Sequence, residues 1–334
     1  MIGAFDSTET NPQLFNSVDE AKAAFGTNGT TYAGCAVIDD LFVGAESLLA
    51  VNITTKSGTA PDETIDTTIT TTNLAASLAK IKGEDFDILF VAATLTDAFL
   101  PIITTFLEET FEMKYPAGYV GCLAGASDAA NVTCAGLAGE HCYGLITQRL
   151  RVGGTLLSIL RSAAYYCGIL AGMNVGNSMT MKIVPGVIGV SPELSFETGG
   201  SGKTLLEAGI TTFKCQDRND GRYIVVNSQQ PNGYDLYVNR VRNFVVKQLS
   251  LHQFLGERNN TPTLNEIKQE IERVKAQCVD TLDLLEDINF SVNKKKASTV
   301  EIHIDSLLFA GIITENDVYV RVELDEGDND EEVE

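Results

Sequence analysis

The chain has 334 residues and a formal net charge of −21, with 44% hydrophobic and 21% charged residues. This length and composition are ordinary for a folded protein of two domains or one large one. The negative charge repels the phosphates of nucleic acids, and no apolar run reaches the roughly 18 residues of a membrane span. We therefore expect no nucleic acid partner and no direct membrane insertion. Residues 1–6 lack the features of a secretory signal, which predicts folding in a cytoplasm.

Seven cysteines are scattered along the chain, and no two of them form a CxxC pair. In a cytoplasm these thiols stay reduced, so the pattern argues against a disulfide framework and against a zinc ribbon. We expect each of them to be a small buried residue. They are Cys35, Cys122, Cys134, Cys142, Cys167, Cys215 and Cys278.

The first half of the chain alternates helix and strand signals. Ser17, followed three residues later by a glutamate, is typical of a capped helix start and predicts a helix over 17–25. Asn73 predicts the start of a helix over 73–82, just before the continuous apolar strand 88–93. An unbroken apolar strand usually has both sheet faces covered, so we predict a layered α/β domain.

Weaker patterns predict the remaining elements of the chain. In order they are a strand over 48–54, a helix over 96–111, a strand over 119–123, an ordered loop over 124–139, a strand over 143–147, a helix over 155–173, a short helix over 204–208, and strands over 210–213 and 222–227. Two long helices follow, over 234–255 and 263–286. The second has apolar residues at spacings of three and four, which requires a partner surface.

The end of the sequence alternates apolar and polar residues. A period of two predicts strands with one face on a core and the other in water. The last ten residues, 325–334, carry seven acidic side chains, and we expect them to form a disordered tail. The alternating apolar residues are Val300, Ile302 and Ile304 in one run, and Val318, Val320, Val322 and Leu324 in the next.

A glycine-rich stretch at residues 197–204 resembles a phosphate-binding loop but departs from its pattern. The pattern requires a glycine six residues before Lys203, where this chain has Glu197. A long helix should also leave the loop, whereas the helical pattern here stops near Gly209. A surface turn is therefore the preferred interpretation, and an ATPase that uses this loop is the alternative.

Histidines and cysteines do not form a recognisable catalytic or metal-binding pattern. His141 lies beside Cys142 and after Cys134, a spacing that fits no standard zinc finger. No Gly-x-Ser-x-Gly turn follows a predicted strand. We therefore predict that the protein is not an enzyme, with no catalytic, cofactor-binding or metal-binding residues and no cofactor.

Several short segments, taken together, resemble the phage tail sheath protein family in the family's order. Residues 15–26 resemble an S-x-x-E-x-x-x-x-F-G segment, and residues 205–213 an L-x-x-A-G-x-x-x-F element. The family forms the contractile tails of myoviruses, R-type bacteriocins and related contractile injection systems. The other matching segments are 41–54, 163–180, 221–227, 240–243 and 254–260.

The resemblance implies an α/β fold, α+β overall, in two parts. The first is a layered α/β sheath domain of subtilisin-like shape over 17–200, after a short N-terminal segment at 1–16. The second is an α+β, tube-facing sheath domain over 201–324 with extended terminal β arms, before the tail at 325–334. Family members usually have a longer segment before the equivalent of residues 2–5, so we expect either that the start is truncated or that this sheath links its rings differently.

The implied function is that of a structural subunit of a contractile tail sheath. Such subunits polymerise as stacked hexameric rings around a tail tube and contract to drive the tube through a target cell envelope. The implied partners are other copies of the chain, the tail tube protein, and baseplate and tail terminator proteins. The implied location is a virion tail or contractile particle that is assembled in the host cytoplasm.

Two sets of residues are expected to make contacts in such an assembly. The terminal arms are implied to add strands to neighbouring subunits through Ile2, Phe5, Val300, Ile302, Ile304, Val318, Val320, Val322 and Leu324. The second long helix carries three cations that are candidates for contact with the tube: Lys268, Arg273 and Lys275. A solvated helix face is an equally good interpretation of them. Another tail or baseplate structural protein with sheath-like domains, and a cytosolic hydrolase, are the other interpretations.

Overall fold

The computed structural model describes residues 1–57, 64–113, 115–217, 221–249, 257–296 and 299–309. Their strands are β1 Ile2–Gly3, β2 Gln13–Phe15, β3 Leu48–Asn52, β4 Thr55–Ser57, β5 Thr64–Asp66, β6 Ile88–Thr94, β7 Gly118–Cys122, β8 Cys142–Ile146, β9 Arg149–Val152, β10 Thr155–Leu156, β11 Val187–Ser191, β12 Phe213–Asp217, β13 Arg222–Val225, β14 Asp287–Lys296 and β15 Thr299–Leu308. Their helices are α1 Val18–Phe25, α2 Ala33–Leu41, α3 Thr71–Lys80, α4 Leu100–Glu112, α5 Asp128–Ala135, α6 Ile159–Ala171, α7 Ser201–Glu207, α8 Leu236–Gln248 and α9 Thr261–Ala276, which continues into a π-helical turn at Gln277–Thr281.

Helix starts follow the capping chemistry of the sequence, with one shift. The Ser17 hydroxyl accepts a hydrogen bond from the backbone N–H of Glu20 at 3.2 Å and starts α1 as predicted. The N-cap of helix α3 lies three residues before the predicted one. It is Thr70, and the Asn73 side-chain oxygen instead accepts a hydrogen bond from the Thr70 N–H at 2.8 Å. Asn73 therefore completes a capping box that Thr70 begins.

The centre of the fold is a six-stranded sheet in the order β2-β3-β1-β6-β7-β8. Its five strands from β3 to β8 are parallel, and β2 lies antiparallel at one edge. Because crossovers between parallel strands are right-handed, α2 must lie on one face and α3 to α5 on the other. The packing agrees, since α2 contacts α6 and α3 contacts α4. This is the layered α/β arrangement that the sequence predicts.

Smaller sheets extend the central one. Strands β10, β9 and β11 form an antiparallel sheet, and β12 pairs with β13. A parallel bridge between Ile146 and Thr211 connects the β8 edge to the segment before β12. The 205–236 region therefore packs with the α/β part.

Buried apolar side chains form one large cluster and two small ones. The large cluster runs from Met1 to Leu236, and the second begins at Tyr237 and includes Val274 and Ile288. A third small cluster centres on Ile267, Ile271 and Val292. The packing thus changes near residue 236. The domain boundary at residue 200 stays a prediction from the sequence.

Four sequence predictions need correction. The 124–139 segment contains α5, capped by Ser127, rather than only a loop. The predicted helix 155–173 begins at Ile159, because residues 155–156 form β10. The helix predicted over 234–255 ends at Gln248 in the described part, and the helix predicted over 263–286 gives way to the π-helical turn at 277.

No helix within the described residues is long and apolar enough to cross a membrane.

Helix α8 joins the two parts of the chain because its two faces differ. Its apolar face, with Val241 and Val245, packs into the second cluster. Its polar face meets the α/β part, where the buried Arg240 guanidinium donates to the backbone carbonyls of Met173 at 2.7 Å and Asn174 at 3.2 Å. These carbonyls follow the end of α6, where a cation is favoured by the helix dipole.

Further polar contacts along α8 reach the amino end of the sheet. Asn243 donates to the Tyr143 hydroxyl at 2.8 Å, and the Lys247 ammonium lies 2.6 Å from the Asp85 carboxylate and 2.8 Å from that of Asp87. Lys247 is partly buried, and its hydrogen bonds to these carboxylates outweigh the effect of burial, so the pKa of Lys247 is raised. The polar face of α8 is therefore fixed by hydrogen bonds and by the ion pairs of Lys247.

A half-buried carboxylate fixes the start of α8. One oxygen of Asp235, Oδ2, accepts hydrogen bonds from the hydroxyls of Ser178 at 3.0 Å, Thr180 at 2.9 Å and Ser228 at 2.7 Å. The other oxygen, Oδ1, accepts from the backbone N–H of Tyr237 at 3.0 Å and caps the helix. Asp235 thus ties the first turn of α8 to the α/β part.

We predict that Asp235→Ala lowers the free energy of unfolding by about 3 kcal/mol, because the helix loses its cap and three buried hydroxyls lose an acceptor. Urea denaturation followed by circular dichroism measures the change. The matched control is Asp97→Ala, since Asp97 is exposed, and we expect it to change stability by less than about 0.5 kcal/mol. Equal effects of the two substitutions would contradict the role given to Asp235.

Candidate assembly interface

Strands β14 and β15 form a long antiparallel hairpin beyond α9. Each strand has ten residues, and the register pairs Asp287 with Leu308 at the base and Lys296 with Thr299 at the tip. Among the described residues this sheet has only these two strands. The outer edge of each strand is therefore without a strand partner in this part of the chain.

One face of the hairpin packs on the rest of the C-terminal part. Val300 and Ile302 of β15 contact the small cluster built on Ile267 and Ile271 of α9. Ile304, two residues further on, packs against the second cluster, whereas His303 between them is exposed. The alternation in the sequence thus has a covered apolar face, as a period of two predicts.

The backbone edges of the hairpin are the feature suited to association. A strand edge presents unpaired N–H and C=O groups, and natural proteins rarely leave a long apolar edge open. Two bulges, between Asn289 and Phe290 and between Lys294 and Lys296, interrupt the ladder between the strands. The β15 segment between them offers its outer edge as a template for an added strand.

The N-terminal residues predicted to pair with a neighbour lie elsewhere. Ile2 is in β1, which has β3 on one side and β6 on the other, and its side chain is fully buried. Phe5 is also fully buried and stacks on Phe25 with ring centroids 4.1 Å apart. Strands of the same chain occupy both sides of β1, so this strand has no open edge for a strand of a neighbouring subunit.

The second predicted arm segment lies outside the described residues. Val318, Val320, Val322 and Leu324 all fall beyond residue 309, the last described one. Their pairing with a neighbouring subunit stays a prediction from the sequence pattern, as does the disorder of 325–334.

The three predicted tube-contact cations differ in their surroundings. Arg273 lies 2.6 Å from the Glu270 carboxylate one turn earlier on α9, and Lys275 lies 2.6 Å from the Asp287 carboxylate at the start of β14. Lys268 is exposed and has no ion pair among the residues that the structure describes. Of the three, Lys268 is therefore the most available to a partner.

The glycine-rich stretch at 197–204 has the geometry of a surface turn followed by a short helix. Gly200 is the N-cap of α7, a helix of seven residues, and the Gly200 N–H donates to the Glu197 carbonyl at 2.8 Å. Lys203 is exposed and lies 3.9 Å from Glu207 of the same helix. No strand leads directly into the turn in the described region, so the arrangement differs from a phosphate-binding loop.

His141 is a buried residue at the junction of α4, β8 and α8. Its ring centroid lies 5.5 Å from that of Phe111, over which the Arg242 guanidinium also lies at 5.3 Å. Burial and the positive charge of Arg242 lower the pKa of His141 to about 4. All seven cysteines are free thiols, and the described residues contain no cluster of His, Cys, Asp or Glu arranged to hold a metal ion.

One family of known proteins matches part of the chain. Residues 67–228 match the family described as phage tail sheath protein central domain. This part of the chain is therefore similar to a sheath central domain, as the resemblance in its motifs predicts. The comparison with curated protein sequences gave no match.

Solved structures share the fold over nearly the whole chain. A sheath tail protein from Desulfitobacterium hafniense has a TM-score of 0.68 at 14% identity, covering 92% of this chain and 93% of that one. A chain of the anti-feeding prophage baseplate gives 0.68 at 12% identity, with coverages of 97% and 92%. A chain of the anti-feeding prophage helical sheath in its contracted state gives 0.62 at 13% identity, with 98% and 92%. The mixed α/β sheath fold is thus confirmed.

We predict that acid destabilises the protein partly through His141. Its pKa is about 4 in the folded chain and near 6.5 when unfolded, so the unfolded chain binds the proton first as pH falls. The contribution of neutral His141 to the free energy of unfolding is therefore complete above pH 6.5. It is lost progressively as the pH falls toward 4, by roughly 3 kcal/mol.

Urea denaturation at pH 7 and at pH 4.5 measures this loss. We expect His141→Gln to reduce the difference in stability between the two pH values. The unmodified chain, denatured at the same two pH values, is the reference. An unaltered pH dependence in His141→Gln would contradict the assignment.

Proposed function

We propose that the chain is a structural, non-enzymatic subunit of a contractile tail sheath, which polymerises as stacked hexameric rings around a tail tube. The match of residues 67–228 to a sheath central domain supports this proposal, together with a fold shared with a contracted helical sheath. Other copies of the chain are then its first partners. The tail tube, baseplate and tail terminator proteins are the others, in a tail particle assembled in a host cytoplasm.

The observation that carries the proposal is the open-edged hairpin. In the central sheet, β3, β1, β6 and β7 are each paired on both sides with strands of the same chain. The β14–β15 sheet, by contrast, has no third strand in the described part of the chain. A strand from a neighbouring subunit, residues 318–324, would complete it and connect the two subunits by backbone hydrogen bonds.

Contraction then follows from a difference in contacts between two lattices. If each subunit makes fewer or weaker contacts before contraction than after, the difference is released when the lattice rearranges. A small gain for one subunit is summed over many copies, so no nucleotide is required. Strand connections between copies allow the subunits to move as rigid bodies without losing their neighbours.

Contact with the tube is assigned to α9 and centres on Lys268. Arg273 and Lys275 already lie beside carboxylates of their own chain, and an exposed ion pair contributes little to binding. A weak, exchangeable contact suits a sheath that must slide relative to its tube.

A second candidate is a baseplate structural protein with sheath-like domains. The similarity to a chain of the anti-feeding prophage baseplate favours it to the same degree as the similarity to isolated sheath proteins. The two functions differ in self-assembly. A sheath subunit forms long tubes by itself, whereas a baseplate component forms at most closed rings.

We predict that the purified full chain forms hollow tubes or stacked rings of uniform width in negative-stain electron microscopy. Removal of residues 318–334 should abolish these assemblies while leaving the melting temperature of the dispersed chain unchanged, because the described core ends before residue 310. Removal of residues 325–334 alone is the matched control and should still permit assembly at raised concentration. Dispersed full-length monomers, even with a matching tube protein present, would contradict the proposed function.

A further inference from the structure

The tip of the β14–β15 hairpin is strongly positive in an otherwise acidic chain. Three consecutive lysines, residues 294–296, stand where β14 ends, and the side chains of Lys294 and Lys296 are exposed. The segment before α9 lies against this tip. The Lys294 ammonium donates to the Asn259 carbonyl, and the Asn259 side-chain amide donates to the Lys296 carbonyl, both at 2.9 Å.

Other positive groups gather at the same end. Arg258, next to Asn259, is exposed, and the amino end of the 16-residue helix α9 begins at Thr261. A helix amino end carries a partial positive charge that adds to those of the side chains. Glu257 is the neighbouring acidic residue on this segment. A concentrated positive surface on a chain of net charge −21 favours a negatively charged partner.

The same chain supplies a segment of matching charge. Residues 325–334 contain seven acidic side chains and directly follow the alternating segment 318–324. In the proposed sheath, 318–324 adds to the hairpin of another copy. The position of the acidic residues then depends on the direction in which that strand runs.

An added strand that pairs antiparallel with β15 would bring the acidic residues to the tip. Strand β15 runs away from the tip, so a strand that pairs antiparallel with its outer edge runs toward the tip. Seven residues in a strand extend about 23 Å, and ten residues of β15 extend about 33 Å, so the added strand fits within its length. Residues 325–334 then emerge beside Lys294–Lys296.

The length of the connecting segment favours another copy over the same chain. Hairpin loops usually have two to five residues, whereas residues 309–317 separate β15 from the alternating segment. Nine extended residues span up to about 30 Å, which is enough to reach a neighbouring molecule.

We propose that residues 325–334 of one copy dock on the positive hairpin tip, Arg258 and Lys294–Lys296, of a neighbouring copy. This inference rests on the proposed sheath function and adds a charge-based anchor to the strand exchange. The anchor distinguishes registers that differ by two residues, because such a shift keeps the same side chains on the same face of the sheet. Register is otherwise weakly specified by the repeating valines of 318–322.

The experiment compares charge variants of the full chain by their critical concentration for assembly, measured by sedimentation. The tip variant is Lys294→Glu, Lys295→Glu and Lys296→Glu. The tail variant is Asp328→Lys, Asp330→Lys and Glu332→Lys. We expect each to raise the critical concentration about tenfold at low salt, an effect that shrinks in high salt because exposed charges are screened. The combined variant, with both sets exchanged, should return to within about twofold of the unmodified chain.

A control with the same change in net charge is Lys80→Glu, Lys182→Glu and Lys203→Glu, three exposed lysines on the α/β part. We expect its critical concentration to stay within about twofold of the unmodified value. An unchanged critical concentration in the tip variant, or a combined variant no better than either single one, would overturn the docking. Melting temperatures identify any variant that fails to fold.

Cross-linking between copies gives a second measurement that does not depend on tube formation. Lys296→Cys in one preparation and Asp328→Cys in another, tagged to differ in size, should form a mixed disulfide dimer under oxidation. Mixed dimers in the absence of tubes would contradict the proposed sheath function but would still support docking at the hairpin tip. Tubes without mixed dimers, or a disulfide formed within one chain that carries both substitutions, would overturn the contact between copies.

Discussion

Helix α8 determines where the hairpin stands, because it is the element shared by the two parts of the chain. Its apolar side packs into the C-terminal cluster, and its polar side is held by Arg240 on the end of α6 and by Lys247 on two carboxylates. Charged contacts of this kind are directional, so they fix an angle as well as a distance. The hairpin, packed on α9 against the same cluster, therefore projects from the α/β part in a defined direction.

The central sheet and the hairpin differ in how fully their backbones are hydrogen-bonded. In the six-stranded sheet, β1 is paired on both sides, which places Ile2 and Phe5 in the interior. In the hairpin the same requirement for partners is met on one side of each strand only, within the described residues. A polymer that joins its subunits through such edges keeps strong, directional connections while the globular parts rearrange. This division of roles agrees with the proposed function in a sheath.

The sequence predicts best where one local signal is sufficient. The apolar runs at 88–93 and 119–123 form β6 and β7 nearly as expected, because buried parallel strands need no alternation. Helix α5 was not predicted, because its alanine-rich sequence has little amphipathic character. Ser127 before Asp128 is the capping signal that could have indicated it. Strand β1 has two residues and exists only through pairing with β3 and β6.

The candidate assembly surface was predictable only in part, for a related reason. The alternation around Ile302 revealed a strand, but its partner β14 ends in lysines that weaken the apolar signal. The carboxylate that pairs with Lys275 belongs to Asp287, in another element, so helix periodicity cannot predict it. Long-range contacts of this kind depend on the fold.

Hydrogen exchange of the dispersed and the assembled chain, followed by mass spectrometry, tests the central claim most directly. We predict that the outer-edge amides of β15, which do not bond to β14, and the amides of residues 318–324 exchange rapidly in the dispersed chain and become protected together on assembly. Amides of β6 and β7 should be protected in both states. Assembly that leaves β15 and 318–324 exchanging as before would contradict the claim that an added strand connects neighbouring copies through the hairpin edge.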